Sequence, residues 1–280
     1  MTIRASQRAG TRAYATLVPF DGSASRCHNR ANDGVVDDLH ARSDAELLAA
    51  NRRFYDSLWA WADLSDPERF NTWPLVRSLV RPATRCLEVA PGLRPRLPIS
   101  GTYFVDISTP ALAQLHASGG IVALGLATAL PFRDGAFDLL SALDIIEHVD
   151  DDGAAFDELA RLARPGALLL LSAPLHPSRW TAFDHIVGHR RRYEPHRLAA
   201  KLQEHGFCIE RSSAYGMRPR PSWLVNVGMW FLTRQPARAI WWLNNVLMPL
   251  AEYFQRPLRL HDGLASTDAI DEILLVCRRR

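Results

Sequence analysis

Lysine is nearly missing from this chain. Of 33 basic residues one, Lys201, is a lysine and the rest are arginine, so Schiff-base chemistry is excluded unless Lys201 lies in a site. Cysteine is sparse: Cys27, Cys86, Cys208 and Cys277 form neither a metal-spaced pair nor a disulfide framework, and a reducing cytoplasm is the expected setting. No apolar run is long enough to span a bilayer, so no integral membrane segment is expected. GxSxG and P-loop motifs are both lacking, which removes the commonest hydrolase and NTPase readings. Charge of one sign is also lacking: 33 basic against 30 acidic residues leave +3. With no basic stripe and no NPPY-like tetrapeptide, a nucleic-acid partner is not expected.

What remains is a 280-residue chain, 48% hydrophobic and 22% charged, suited to one sizeable domain with appendages. Residues 1–35 are rich in Gly, Ser and Asn, and the first 20 carry Arg4, Arg8 and Arg12 without an acid. An arm or lid is preferred there to a transit peptide. Residues 36–82 read as N-terminal helices, with Leu47, Leu48, Phe54, Tyr55, Leu58, Trp59 and Trp61 on an apolar side.

From 83 to 216 strands and helices alternate. CLEVA (86–90), TYFVDI (102–107), IVALGL (121–126), FDLLSALD (137–144) and ALLLLSAP (167–174) have strand length. STPALAQLHAS (108–118), DDGAAFDELARLARPG (151–166) and EPHRLAAKLQEHG (194–206) are helical, the second stopping at its glycine. CIERSSAYG and DEILLVCR supply the last strands, the final one within a core piece at 263–280. Such alternation implies a parallel sheet with ligands beyond the C-terminal strand ends. Residues 217–262, with Trp223, Trp230, Trp241 and Trp242, read as an inserted helical cap. It serves as a substrate roof, a homodimer surface or a membrane-surface patch.

LEVAPGLRPRLP (87–98) is a strand ending in an acid followed by a turn that keeps one glycine, Gly92, where several are usual. Asp106 follows 18 positions after Glu88, placed to accept two ribose hydroxyls. The ordered series LEVAPG, FVDIS, ALPFRDGAFDLL, DIIEHVDDD and LARPGALLLLSAP resembles the class I S-adenosylmethionine (SAM) dependent methyltransferases over roughly residues 70–216 plus the final strand. The resemblance implies a Rossmann-like α/β sheet of seven strands, one antiparallel. It implies SAM as co-substrate and a small-molecule acceptor, with a role in secondary metabolism. Glu88, Ala90 and Gly92 would line the methionine half, Asp106 the ribose and Ile107 the adenine. Ala127 would meet the adenine edge, and Leu143 and Asp144 the sulfonium, with His148 nearby. Leu126 departs from the pattern, standing where many relatives have an acid.

Candidates for acceptor orientation or proton removal are Asp144, His148, His176, His189 and Tyr193. Arg190 and Arg191 could clamp an anionic substrate group, although three consecutive arginines with Arg192 cannot all face one site. Tyr55, Trp59, Phe70 and Trp73 form a candidate aromatic lid over the sulfonium, as cation–π attraction would favour. His185 and His189 with Asp184 have metal-ligand spacing if helical, but Gly188 between the two histidines counts against it, and no metal is expected. Two alternatives stay open: an enzyme that cyclises SAM alone to azetidine-2-carboxylate and methylthioadenosine, and a non-catalytic SAM-fold interaction protein.

Overall fold

The computed structural model describes residues 59, 62–81, 84–216, 234, 238, 241–247, 250, 253 and 255–280. The arm at 1–35, Tyr55 and most of the cap at 217–262 lie outside the described residues.

Among the described residues, eight strands form one sheet: β1 (Cys86–Val89), β2 (Tyr103–Asp106), β3 (Ile121–Leu124), β4 (Phe137–Ala142), β5 (Ala163–Pro174), β6 (Phe207–Ala214), β7 (His261–Asp262) and β8 (Glu272–Arg279). Their order is β3-β2-β1-β4-β5-β8-β6-β7. The first five pair in parallel, and β8 runs antiparallel between β5 and β6. The expected seven strands and single reversed strand are therefore corrected by the short β7, which adds antiparallel to β6. Two residues bounded by loop carry no periodicity from which a strand can be read.

The described helices are α1 (Trp73–Leu79), α2 (Thr109–Ala117), α3 (Asp152–Leu162), α4 (Ala182–Val187) and α5 (Pro195–Glu204). Helix α3 starts at Asp151, whose side chain accepts from Ala154 N–H, and ends before the expected glycine. Pro165 explains the early stop. It forces Arg164 towards extended backbone and would clash inside a helix, so β5 begins at Ala163 and pairs with Phe137.

The core sits on both faces of β1, β4, β5 and β8. Leu87, Leu140, Leu169, Leu171 and Leu275 pack with Phe137, Phe156, Leu159 and Leu202 on one face, while Leu139, Leu170, Leu274 and Val276 meet Leu75 and Val76 of α1 on the other. Double-sided burial is why these strands read as continuous apolar runs. No helix among the described residues is long and apolar enough to cross a membrane.

Candidate functional site at the strand tips

Among the described residues, three that are not glycine have positive φ: Ala90 (54°), Asp144 (54°) and His176 (59°). Each follows the C-terminal end of a parallel strand, β1, β4 and β5 respectively. Left-handed backbone at a residue with a Cβ costs on the order of 1–3 kcal/mol and gathers at functional sites.

At the first tip, Glu88 is buried and its carboxylate accepts from the backbone N–H of Arg96 (2.9 and 3.0 Å) and Leu97 (3.0 Å). Burial pushes its pKa up to about 7. Glu88 thereby staples the far end of the LEVAPGLRPRLP turn to β1. Asp106, buried at the β2 tip, staples the near end: its Oδ2 accepts from Gly92 N–H at 2.9 Å, and its Oδ1 from Ser108 N–H at 2.8 Å. Gly92 has φ +56°, and the indole of Trp59 covers it so closely that an added Cβ would lie 2.2 Å from Cζ2. Trp59 packs with Leu93 and Ala111 and carries the Arg94 guanidinium 5.4 Å from its ring. The proposed lid residue thus rests on the turn itself.

Arg96 is buried, stacked 3.6 Å over the Phe70 ring, with its Nε donating to Tyr215 Oη at 3.4 Å. Trp73 lies instead on the α1 side of the sheet, lining a cavity of about 500 Å³ with Phe70, Leu258, Leu260 and Arg211. Neither Arg96 nor Tyr215 stands out in the sequence, because turn arginines and tyrosines after strands are ordinary.

At the third tip, Asp144 is exposed and pinned by Ser172 of β5. Its N–H donates to Ser172 Oγ (2.7 Å), which donates to Asp144 Oδ1 (2.6 Å). Burial and the Asp144 charge push the Glu272 carboxyl well up, so a concentration of acid surrounds this tip. Leu143 is buried under α1, and Ile107 and Ala127 are half-buried beside β2 and β3.

Beyond Asp144, a 3-10 turn at Ile146–His148 buries Glu147 and His148. His148 stacks edge-on to His189, ring centroids 4.8 Å apart. Desolvation, then the neighbouring His189, pushes the His148 pKa down to about 3; desolvation, then Asp144, pushes Glu147 well up. His189 Nδ1 donates to Asp184 Oδ1 at 2.9 Å. His185 is elsewhere: its Nε2 accepts from Trp180 Nε1 at 2.9 Å, and α4 ends at Gly188 with φ 80°. The i, i+4 histidine pair is therefore not brought together.

The remaining candidates are engaged within the fold. Tyr193 Oη donates to Asp152 at 2.8 Å, and His176 Nε2 to the Thr267 carbonyl at 2.9 Å. Each arginine of the tract meets its own acid: Arg190 to Asp150 (3.0 Å), Arg191 to Asp152 (2.8 Å) and Arg192 to Asp184 (2.7 Å). The acids lie 8 to 40 positions away along the chain, out of range of any local sequence pattern.

A family model described as a methyltransferase domain matches residues 90–171, the segment from the β1 turn through β5. An uncharacterized methyltransferase of a Mycobacterium species (strain KMS) is 28% identical over 215 residues, covering 65% of this chain and 82% of that protein. A SAM-dependent methyltransferase of Thermotoga maritima superposes with a TM-score of 0.52 at 13% identity, covering 83% of this chain and 96% of that one. Residues 90–171 thus match a methyltransferase domain, and the chain shares its fold with SAM-dependent methyltransferases. Norajmaline N-methyltransferase of Rauvolfia serpentina is 40% identical over 53 residues, 19% of this chain and 18% of that protein. The cyclase SpnF shares the methyltransferase fold of this chain with a TM-score of 0.52 at 18% identity, covering 82% of this chain and 95% of that one.

Proposed function

We propose that the chain transfers a methyl group from SAM to a small-molecule acceptor at the tips of β1, β2 and β4. The observation that carries this reading is the fixed carboxylate of Asp106. Two backbone N–H groups hold its plane at the β2 tip, which supports a carboxylate fixed in place to accept from ribose hydroxyls.

The residues around it fit the rest of the ligand. Glu88 and Arg96 would hold the methionine end, and Ile107 and the Ala127 backbone the adenine. Leu143 and Asp144 would border the sulfonium, whose positive charge would favour the ionised form of the acids at that tip. SAM supplies an activated methyl on sulfur, so the chain's work is to position the partners and exclude water. Ser172 sets the Asp144 carboxylate in place, and Trp59 closes the turn over Gly92.

The test is a calorimetric titration of SAM and its demethylated product SAH into wild type and Asp106→Asn, followed by labelled SAM with and without host extract. Weakening by about ten- to a hundredfold in the variant is expected, matching the ~1.5–3 kcal/mol of hydrogen bonds to a charged group. Equal affinity in both proteins would refute the reading. SAH formed only with an acceptor supports methyl transfer; methylthioadenosine from SAM alone replaces it with cyclisation. Absence of any SAM or SAH binding leaves a non-catalytic interaction protein.

A further inference from the structure

We infer that Glu147, His148 and His189 form a binding site for one divalent transition-metal ion beyond the tip of β4. One ligand atom from each residue lies within 4.8 Å of the other two, and His189 Nε2 is 3.8 Å from Glu147 Oε1. Donors bound to one ion at about 2.1 Å stand roughly 3–3.5 Å apart, so side-chain shifts of about 1 Å assemble the site.

Two independent features point to an occupant. Among the described residues, the buried side-chain polar atoms without a hydrogen-bond partner are Thr72 Oγ1, Glu147 Oε2 and His148 Nδ1. Two of the three thus fall in this one cluster, each on a side chain more than nine-tenths buried. Leaving such an atom unsatisfied costs about 1–3 kcal/mol, which coordination would remove. The second feature is the support of His189. Asp184 accepts from its Nδ1, fixing that nitrogen as the protonated one and turning the Nε2 lone pair towards Glu147. Asp184 is itself clamped by Arg192 (2.7 and 3.1 Å) and by Thr181 (2.7 and 2.8 Å). A carboxylate behind a histidine is the usual outer support of a metal ligand.

Two imidazoles and one carboxylate select zinc, cobalt or ferrous iron over magnesium and calcium, which prefer all-oxygen shells. Three protein ligands leave positions open. Under the methyl-transfer reading proposed above, an acceptor oxygen bound there would lose its proton to solvent at neutral pH. The acceptor class would then be a hydroxylated or otherwise oxygen-chelating small molecule.

Metal binding is tested without SAM. The full chain, stripped with a chelator, is titrated with Co²⁺, followed by its visible absorption, and with Zn²⁺ by calorimetry. One saturable equivalent is expected, weakened at least a hundredfold in both Glu147→Gln and His189→Gln, with far-ultraviolet circular dichroism reporting that each variant is folded. If a variant fails to fold, the other carries the comparison. No saturable uptake by wild type, or undiminished uptake in the folded variants, overturns the inference. Metal uptake by a chain that binds neither SAM nor SAH would sink the proposed function alone.

Discussion

The contact between Trp59 and Gly92 allows a sharp quantitative test. In Gly92→Ala, the new methyl must occupy a backbone position at φ +56°, which costs an L-residue about 1–2 kcal/mol. It must also displace the indole, since a carbon 2.2 Å from Cζ2 lies far inside the ~3.5–4.0 Å contact distance. Overpacking of this kind adds about 1–3 kcal/mol, for a total of roughly 2–5. Trp59→Ala alone removes a buried aromatic from a small satellite cluster and costs about 3 kcal/mol, the low end for such truncations. In that background the clash is gone, and Gly92→Ala should cost only the backbone share of about 1–2 kcal/mol. Urea denaturation of the four proteins closes the cycle, provided the m-values agree. Relief of about 1–3 kcal/mol in the double variant is expected. If Gly92→Ala costs the same with and without the indole, the packing argument for this turn fails.

Other perturbations have equally definite outcomes. Glu88 holds its proton more tightly folded than unfolded, so its contribution favours the folded state below pH 4.5 and is lost as pH rises through about 7. Glu88→Gln should flatten the stability profile over that window, an effect on the order of 3 kcal/mol by denaturant midpoint; an unchanged slope would contradict the assignment. Asp184 is held below the usual carboxylate range despite burial, by His189, Arg192 and Thr181, so its stabilisation is present above pH 3.8 and fades as acid titrates it. Asp184→Asn should cost about 3–5 kcal/mol at pH 7, and less on approaching that titration, in a pH series of thermal melts. Tyr193→Phe removes a buried hydroxyl bonded to Asp152 and should cost about 1–3 kcal/mol with methyl-transfer kcat unchanged. A fall in kcat without loss of stability would return Tyr193 to the acceptor site.

The parts of the fold legible in the sequence were those whose cause is local or periodic. β1, β4 and β5 announce themselves because both faces are buried, whereas Asp106 stands out only through its place in the ordered series, since an acid after a strand is by itself most simply a cap or a surface residue. The start of β5 was hidden by a helical pattern that runs on past Leu162 until Pro165 vetoes it from ahead. The left-handed tips at Ala90, Asp144 and His176 left no trace, since none is a glycine and the strain is imposed by the surrounding sheet. Glu147 was overlooked because its burial depends on the 3-10 turn and on Arg190, whose N–H donates to the Glu147 carbonyl at 2.7 Å. The arginine tract looked like a clamp for a ligand because its three acids are brought in from other elements.

That tract has a mechanical consequence. Asp150 and Asp152 stand after β4 and Asp184 within α4, so three consecutive guanidinium groups lash two distant loops to each other. The segments that carry His148 and His189 are thereby riveted to each other rather than hinged.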